Sequence, residues 1–232
     1  MTSSVAMSNY SNRAVFNPNE NTDSVSNTNI KDTVVLSITR RFEFVKNAPT
    51  TVNLSYIGRT GRPYSWVFFG DANGDGITFN DLLYVPTGPD DSRVAWADAT
   101  QRDNFFRFVE NSSLKDFKGA NPPRNSETSP WLQTVDLKLT QQIPLFKSVR
   151  AEVFANILNF ANLFDSDWGI QEEVPFSYRR AVAGATLNPT ANNGKGQWNY
   201  VFTSNTLNGV PVTVDETPVS RWQAQIGMRI KF

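Results

Sequence analysis

Cysteine and histidine are both absent from the 232 residues. Without cysteine there is no disulfide framework and no thiolate metal site. Without histidine the commonest general base, every His-dependent triad and the usual zinc ligands are gone. Net charge is missing as well. The 22 Lys plus Arg balance the 22 Asp plus Glu, so no basic surplus exists to neutralise phosphates, and nucleic acid is not expected as a partner. No apolar run approaches the ~18 residues that a membrane-spanning helix needs. The start, MTSSVAMSNYSNR, lacks the apolar stretch of a secretory leader. These absences suit a soluble protein, with one exception. A transmembrane β-barrel shows its lipid face at every second residue, so its hydropathy stays modest.

Alternation is what the sequence has in place of long apolar runs. In TVVLSITRRFEF, Val34, Leu36, Ile38, Phe42 and Phe44 share one face, while Thr33, Ser37, Thr39, Arg41 and Glu43 share the other. Arg40 breaks the apolar face, at a cost that a bulge or a place near a membrane surface would reduce. TVNLSYIG, TVDLKLT and SVRAEVFANI repeat the pattern, with Phe154 as an exception on the polar face. The closing stretch RWQAQIGMRIKF places Trp222, Ala224, Ile226, Met228, Ile230 and Phe232 on one side. Its length from Trp222 to Phe232 is ~33 Å, which a tilt of roughly 40° reduces to the ~25 Å height of a barrel's apolar band. Trp222, Ile226 and Ile230 are therefore expected to face lipid, with aromatic rings at both rims. Strands of soluble sandwiches are usually shorter, ~5–6 residues.

Connections point the same way. Two are short and carry Pro49 and Pro144, while those at 66–130 and 160–219 run to about sixty residues each, far beyond the ~4–6 of a compact domain. Alternating tight turns and long external loops is the asymmetry of outer-membrane barrels. The expected fold is all-β: about five long antiparallel strands over residues 30–232, preceded by a loop or partial strand in 1–29.

The end of the chain, QIGMRIKF, resembles the C-terminal recognition signal of bacterial outer-membrane barrels, in which Gln225, Gly227, Ile230 and Phe232 would be read by the barrel-assembly machinery. Five segments in order resemble the C-terminal part of TonB-dependent outer-membrane receptors of the Oar-like (OmpA-related) kind: RTGRPYS (59–65), GDANGDGITFNDLLYVP (70–86), PPRN…PW (122–131), NILNFANLFDSDWG (156–169) and SRWQAQIGMRIKF (220–232). The resemblance implies a segment of a large transmembrane β-barrel in the outer membrane, with lipid as its surroundings and TonB as a partner through an N-terminal plug. Signal, TonB box and plug are not among these residues. About five strands cannot close a barrel, whose smallest forms have ~8, so the chain is expected to be a fragment of a longer receptor.

One motif could carry a ligand. In GDANGDGITFND, Asp71, Asn73 and Asp75 hold the first, third and fifth places of a calcium loop, and Gly76 supplies its sharp turn. The twelfth place, a bidentate Glu in an EF-hand, is Leu82, and Asp81 stands one residue early. Asp71, Asn73, Asp75 and Asp81 either coordinate calcium or form a Gly/Asp/Asn-rich turn, and the pattern leaves both open. No cofactor is otherwise expected. Asp165, Asp167, Glu172 and Glu173 have no spacing that fixes a catalytic pair, so an enzyme is not expected. Phe105 to Gly119 has the mixed periodicity of a short helix. Trp96, Trp168, Trp198 and Tyr200 are expected to pack within loops rather than stack on a sugar. The competing reading is a secreted, calcium-stabilised β-sandwich that binds carbohydrate.

Overall fold

A computed structural model describes residues 11–20, 22–202, 213–214 and 218–232. In chain order it contains β1 (Thr33–Val45), β2 (Ala48–Arg59), β3 (Pro63–Phe69), β4 (Val94–Trp96), helix α1 (Ala99–Glu110), β5 (Glu127–Thr128), β6 (Leu132–Phe146) and β7 (Val149–Leu158). β8 (Glu172–Glu173), β9 (Arg179–Asn188), β10 (Gln197–Phe202), β11 (Thr213–Val214) and β12 (Gln223–Lys231) follow. Two compact units divide these elements: the described residues within 1–29, 62–129 and 174–212 form the first, and those within 30–61, 130–173 and 213–232 the second.

The second unit is a five-stranded antiparallel meander in the order β1-β2-β6-β7-β12. Its strands follow the alternation because a fixed register carries one face through every strand. Ile38 lies opposite Leu54, Leu54 opposite Leu137, Leu137 opposite Ile157 and Ile157 opposite Ala224. One register step away, the other face runs Thr39, Asn53, Lys138, Asn156 and Gln225. The short turns fall at residues 46–47 and 147–148. They therefore lie beside Pro49 and Pro144, which are themselves inside β2 and β6. Arg40 sits opposite Val52 in the regular part of the ladder, and the irregularity lies beyond it, between Phe42 and Val45.

Large apolar side chains on this sheet stay open to solvent, among them Ile38 at 69%, Ile226 at 79% and Met228 at 67% exposure. Among the described residues, the hydrophobic core cluster is drawn from the first unit alone. Phe154, the sequence exception, has a specific neighbour. It faces Gly227 across β7 and β12, and a Cβ at Gly227 would fall 2.4 Å from its ring. The aromatic covers the glycine, and only a glycine leaves room for it.

The core belongs to the first unit. There the stretches 66–130 and 174–202, expected as parts of extended loops, carry a second sheet in the order β4-β10-β9-β3-β5, with β3 parallel to β9 and β4 parallel to β10. Trp66, Phe68, Phe105, Phe108 and Tyr200 are all buried. Trp66 meets Phe108 edge to face at 5.7 Å, and Phe68 meets Tyr200 at 5.3 Å. The helix begins earlier than expected because Asp98 caps it: its carboxylate accepts the Gln101 N–H at 2.8 Å and the Gln101 side-chain amide at 3.2 Å. Phe105, Phe108 and Val109 then form its buried stripe. Of residues 11–29, Val15 makes a single bridge to Asp81. The first ten residues, and residues 203–212 and 215–217 of the second long stretch, lie outside the described residues.

Candidate functional site

Gly70 (φ +77) turns the chain out of β3 into the acidic loop. Asp71 organises it, accepting the N–H groups of Gly74 (2.7 Å), Asp75 (3.0 Å) and Gly76 (2.8 Å). Gly74 and Gly76 adopt φ of +80 and +85, and nothing lies within 4 Å of where their Cβ atoms would stand. Their requirement is conformational. Asn73 Oδ1 accepts the Asp75 N–H at 2.9 Å, and Asp75 Oδ1 accepts the Ile77 N–H at 2.8 Å. Phe79 then turns back with a left-handed φ of +64, its ring anchored edge to face on Phe69 at 5.1 Å. That reversal sends Asn80 and Asp81, both fully buried, into the base of the loop.

The loop therefore brings together the sequence-proposed residues. One carboxylate oxygen from each of Asp71, Asp75 and Asp81 lies within 4.8 Å of the other two. Asn73 joins them through its amide, which donates to Asp75 Oδ2 at 3.3 Å. Asp81 Oδ2 accepts the N–H groups of Ala72 and Asn73. Burial pushes the Asp81 carboxyl up to about 6; the two amide bonds oppose this, and the Asp75 and Asp71 carboxylates add to it. Among the described residues, Asp81 Oδ1 is buried without a hydrogen-bond partner, and so is Asn80 Oδ1. Asn80 was missed from the sequence. The signal was its position between Phe79, which makes the reversal, and Asp81, which enters the cluster. Leu82, at the twelfth place, contributes its backbone N–H to Val15 at 2.9 Å. Such a cluster of oxygens can hold a hard cation.

In the second unit, Ile226 and Ile230 lie opposite Ala155 and Ala151 on the apolar face. Both are exposed, as are Trp222 just before β12 and Phe232 after it. Gln225 lies opposite Asn156 on the polar face and accepts its side-chain amide at 3.3 Å. Gly227 is the glycine under Phe154. Glu152 on the same face ion-pairs with Lys231 at 2.6 Å and with Arg229 at 3.8 Å. Tyr200 and Trp96 belong to the packed aromatic cluster of the first unit, 5.4 Å apart, and Trp198 meets Phe16 at 6.0 Å.

Three of the quoted motifs prove to be polar hubs. Ser65 of RTGRPYS donates to Asn125 Oδ1 at 3.0 Å and accepts the Asn125 N–H at 2.9 Å, with Asn125 contributed by PPRN. In NILNFANLFDSDWG, Asn159 donates to the Gly169 carbonyl at 3.2 Å and Asn162 to the Trp168 carbonyl at 2.8 Å. Gly169 is required there, because a Cβ would collide with the Asn159 amide.

The chain is thus a mostly β protein, 45% strand and 14% helix. Among the described residues no helix is long and apolar enough to cross a membrane. It matches no protein-family model, no curated protein and no solved structure.

Proposed function

We propose that these residues form a C-terminal wall segment of a TonB-dependent outer-membrane receptor of the Oar-like kind. The observation that carries this reading is the second unit: strands of 9 to 15 residues, one face apolar and open. A contiguous apolar surface of this kind is rarely left in contact with water. Lipid covers it in the proposed setting, and the polar face with Glu152, Arg229 and Lys231 lines the lumen. Edge strands β1 and β12 pair on one side only within this sheet, so neighbouring strands from the rest of a receptor complete the wall. The assembly machinery reads Gln225, Gly227, Ile230 and Phe232, TonB acts through the plug, and the segment itself has no enzymatic role. A secreted carbohydrate-binding sandwich is favoured only by the acidic loop, and it leaves the apolar face unexplained.

The absence of cysteine makes the test direct, because an introduced thiol is the only one within these 232 residues. Single cysteines at positions 224 to 230 are labelled with a polarity-sensitive fluorophore in outer-membrane vesicles, with lipid-borne quenchers. Quenching at 224, 226, 228 and 230, and not at 225, 227 and 229, is the expected result. Uniform exposure to aqueous quencher at all seven positions would overturn the proposal.

A further inference from the structure

We infer that the loop from Asp71 to Asp81 is a calcium site, with Asp71, Asn73, Asp75 and Asp81 as side-chain ligands and Asn80 beside them, its amide donating to Asp75 Oδ2 at 3.4 Å. The inference goes beyond the receptor reading and stands independently of it. Acidic turns are common on surfaces, but this one has a carboxylate and an amide buried beneath it. Asp81 has no solvent exposure, its Oδ2 takes two backbone N–H groups, and its Oδ1 has no hydrogen-bond partner among the described residues. Asn80, equally buried, leaves its own Oδ1 unpartnered next to it in the chain. An orphan amide oxygen is costly to bury, and an orphan carboxylate oxygen costlier still. A buried carboxylate with an unpartnered oxygen at the base of the loop calls for a donor or a cation.

The geometry fits one ion. Two oxygens bound to a common calcium at ~2.4 Å lie no more than ~4.8 Å apart, and one oxygen from each of Asp71, Asp75 and Asp81 lies within 4.8 Å of the others. The ligand types are also selective. They are oxygens only, from carboxylates and amides, which suits a hard cation and disfavours zinc or copper. In an EF-hand a long Glu at the twelfth place reaches the ion. Here a shorter Asp does so one place earlier, because the left-handed turn at Phe79 brings the backbone inward.

The ion would also tie the first unit together. Asp81 accepts the Phe68 N–H through its backbone carbonyl at 2.8 Å, fixing it to β3. Asn73 donates to the Phe16 carbonyl at 3.0 Å, fixing the N-terminal segment. The Ala72 carbonyl accepts the Trp198 indole N–H at 3.3 Å, which places a tryptophan antenna beside the loop.

That antenna supplies the test. Terbium is titrated into the 232-residue chain in detergent, with excitation of tryptophan and detection of sensitised terbium emission. Near-ultraviolet circular dichroism of the packed aromatic cluster around Trp66 and Tyr200 establishes that each sample is folded. The expected result is saturable binding that calcium reverses with an apparent Kd of about 10⁻⁴ M or tighter. Magnesium reverses it only at much higher concentration. Asp81→Asn and Asp75→Asn each weaken binding by roughly tenfold or more, whereas Asp103→Asn on α1 leaves it unchanged. Folded protein without saturable emission overturns the inference. So does equal competition by magnesium, retention of full affinity in both folded loop variants, or an equal loss in the Asp103 control. The membrane reading is tested separately by lipid quenching, so either can fail alone.

Discussion

Replacing Ile226 by arginine separates a lipid-facing sheet from a water-facing one by energy alone. Ile226 is 79% exposed and sits opposite Ala155 on the apolar face. If that face meets water, the new guanidinium disturbs no buried contact, and the change stays within about 0.5 kcal/mol. If it meets the middle of a bilayer, the cost is ~2–4 kcal/mol. Gln225→Arg, one residue away on the polar face, is mild in both cases. Arg40 is the internal check, because the register places it in the same row as Ile226, through Val52, Leu139 and Ala155. Four interstrand steps separate β1 from β12, which is ~19 Å across the sheet at ~4.8 Å per step. A strand tilt of roughly 40° converts this into ~12 Å of depth, about half of a ~25 Å apolar band. With Ile226 at the centre, Arg40 reaches the rim, where a charge costs only ~0–1 kcal/mol. Arg40→Leu therefore changes stability by less than about 1 kcal/mol. The assay is a urea titration in phosphatidylcholine vesicles followed by tryptophan emission, with midpoints compared at constant slope. Equal small shifts for all three variants would refute the lipid assignment, and a larger loss for Gln225→Arg than for Ile226→Arg would reverse the faces.

Gly227→Ala forces the Phe154 ring aside and costs ~1–3 kcal/mol, while Phe154→Ala costs about 1 kcal/mol by uncovering the glycine. In the same urea titration the double variant is expected to lose less than the sum of the two, and strict additivity would show that the pair is not coupled. In the first unit, burial pushes the Asp91 carboxyl up, but hydrogen bonds from Arg93, the Thr87 N–H and the Tyr84 hydroxyl outweigh it and hold it well below the usual carboxylate range. A depressed acid stabilises the fold above its unfolded value of ~3.9, and that stability is lost as pH falls toward the folded value. Asp91→Asn should therefore cost about 2 kcal/mol at neutral pH. The gap to wild type, read by thermal melts, is flat from about pH 8 to 5 and shrinks below about pH 4. A gap that widens in acid would contradict the sign.

The two units differ in how much of them the sequence discloses, and the reason is physical. In β1 or β12 each residue faces one of two environments, so a period of two is imposed over 9 to 13 residues and is visible without any structure. Strand β3 is buried on both sides, and PYSWVFF shows no alternation to detect. Its partners are β9, more than a hundred residues away, and the two-residue β5, pairings that no local pattern announces. The Gly, Asn, Asp and Pro content that suggested loops is real, but much of it builds joints within a folded unit. Asn125 and Gly119 take left-handed conformations, and Asp98 caps α1 through an Asp-Ala-Thr-Gln signal that could have been read.

The acidic loop shows the same division within a dozen residues. Asp71, Asn73, Asp75 and Gly76 belong to a spacing that chemistry dictates, because alternate positions of a tight turn converge on one centre. Asp81 is out of step with that spacing, so only the backbone reversal at Phe79 makes it a member. A left-handed, non-glycine residue costs roughly 1 kcal/mol or more, and the aromatic contact with Phe69 helps offset that cost. The reversal buries a carboxylate and an amide at consecutive positions, with one oxygen of each left unpartnered among the described residues. Strain and desolvation at the same few residues are both unfavourable in the free protein, and one bound cation would relieve the larger of them. Calcium affinity and the stability of the first unit should therefore rise and fall together across variants of this loop.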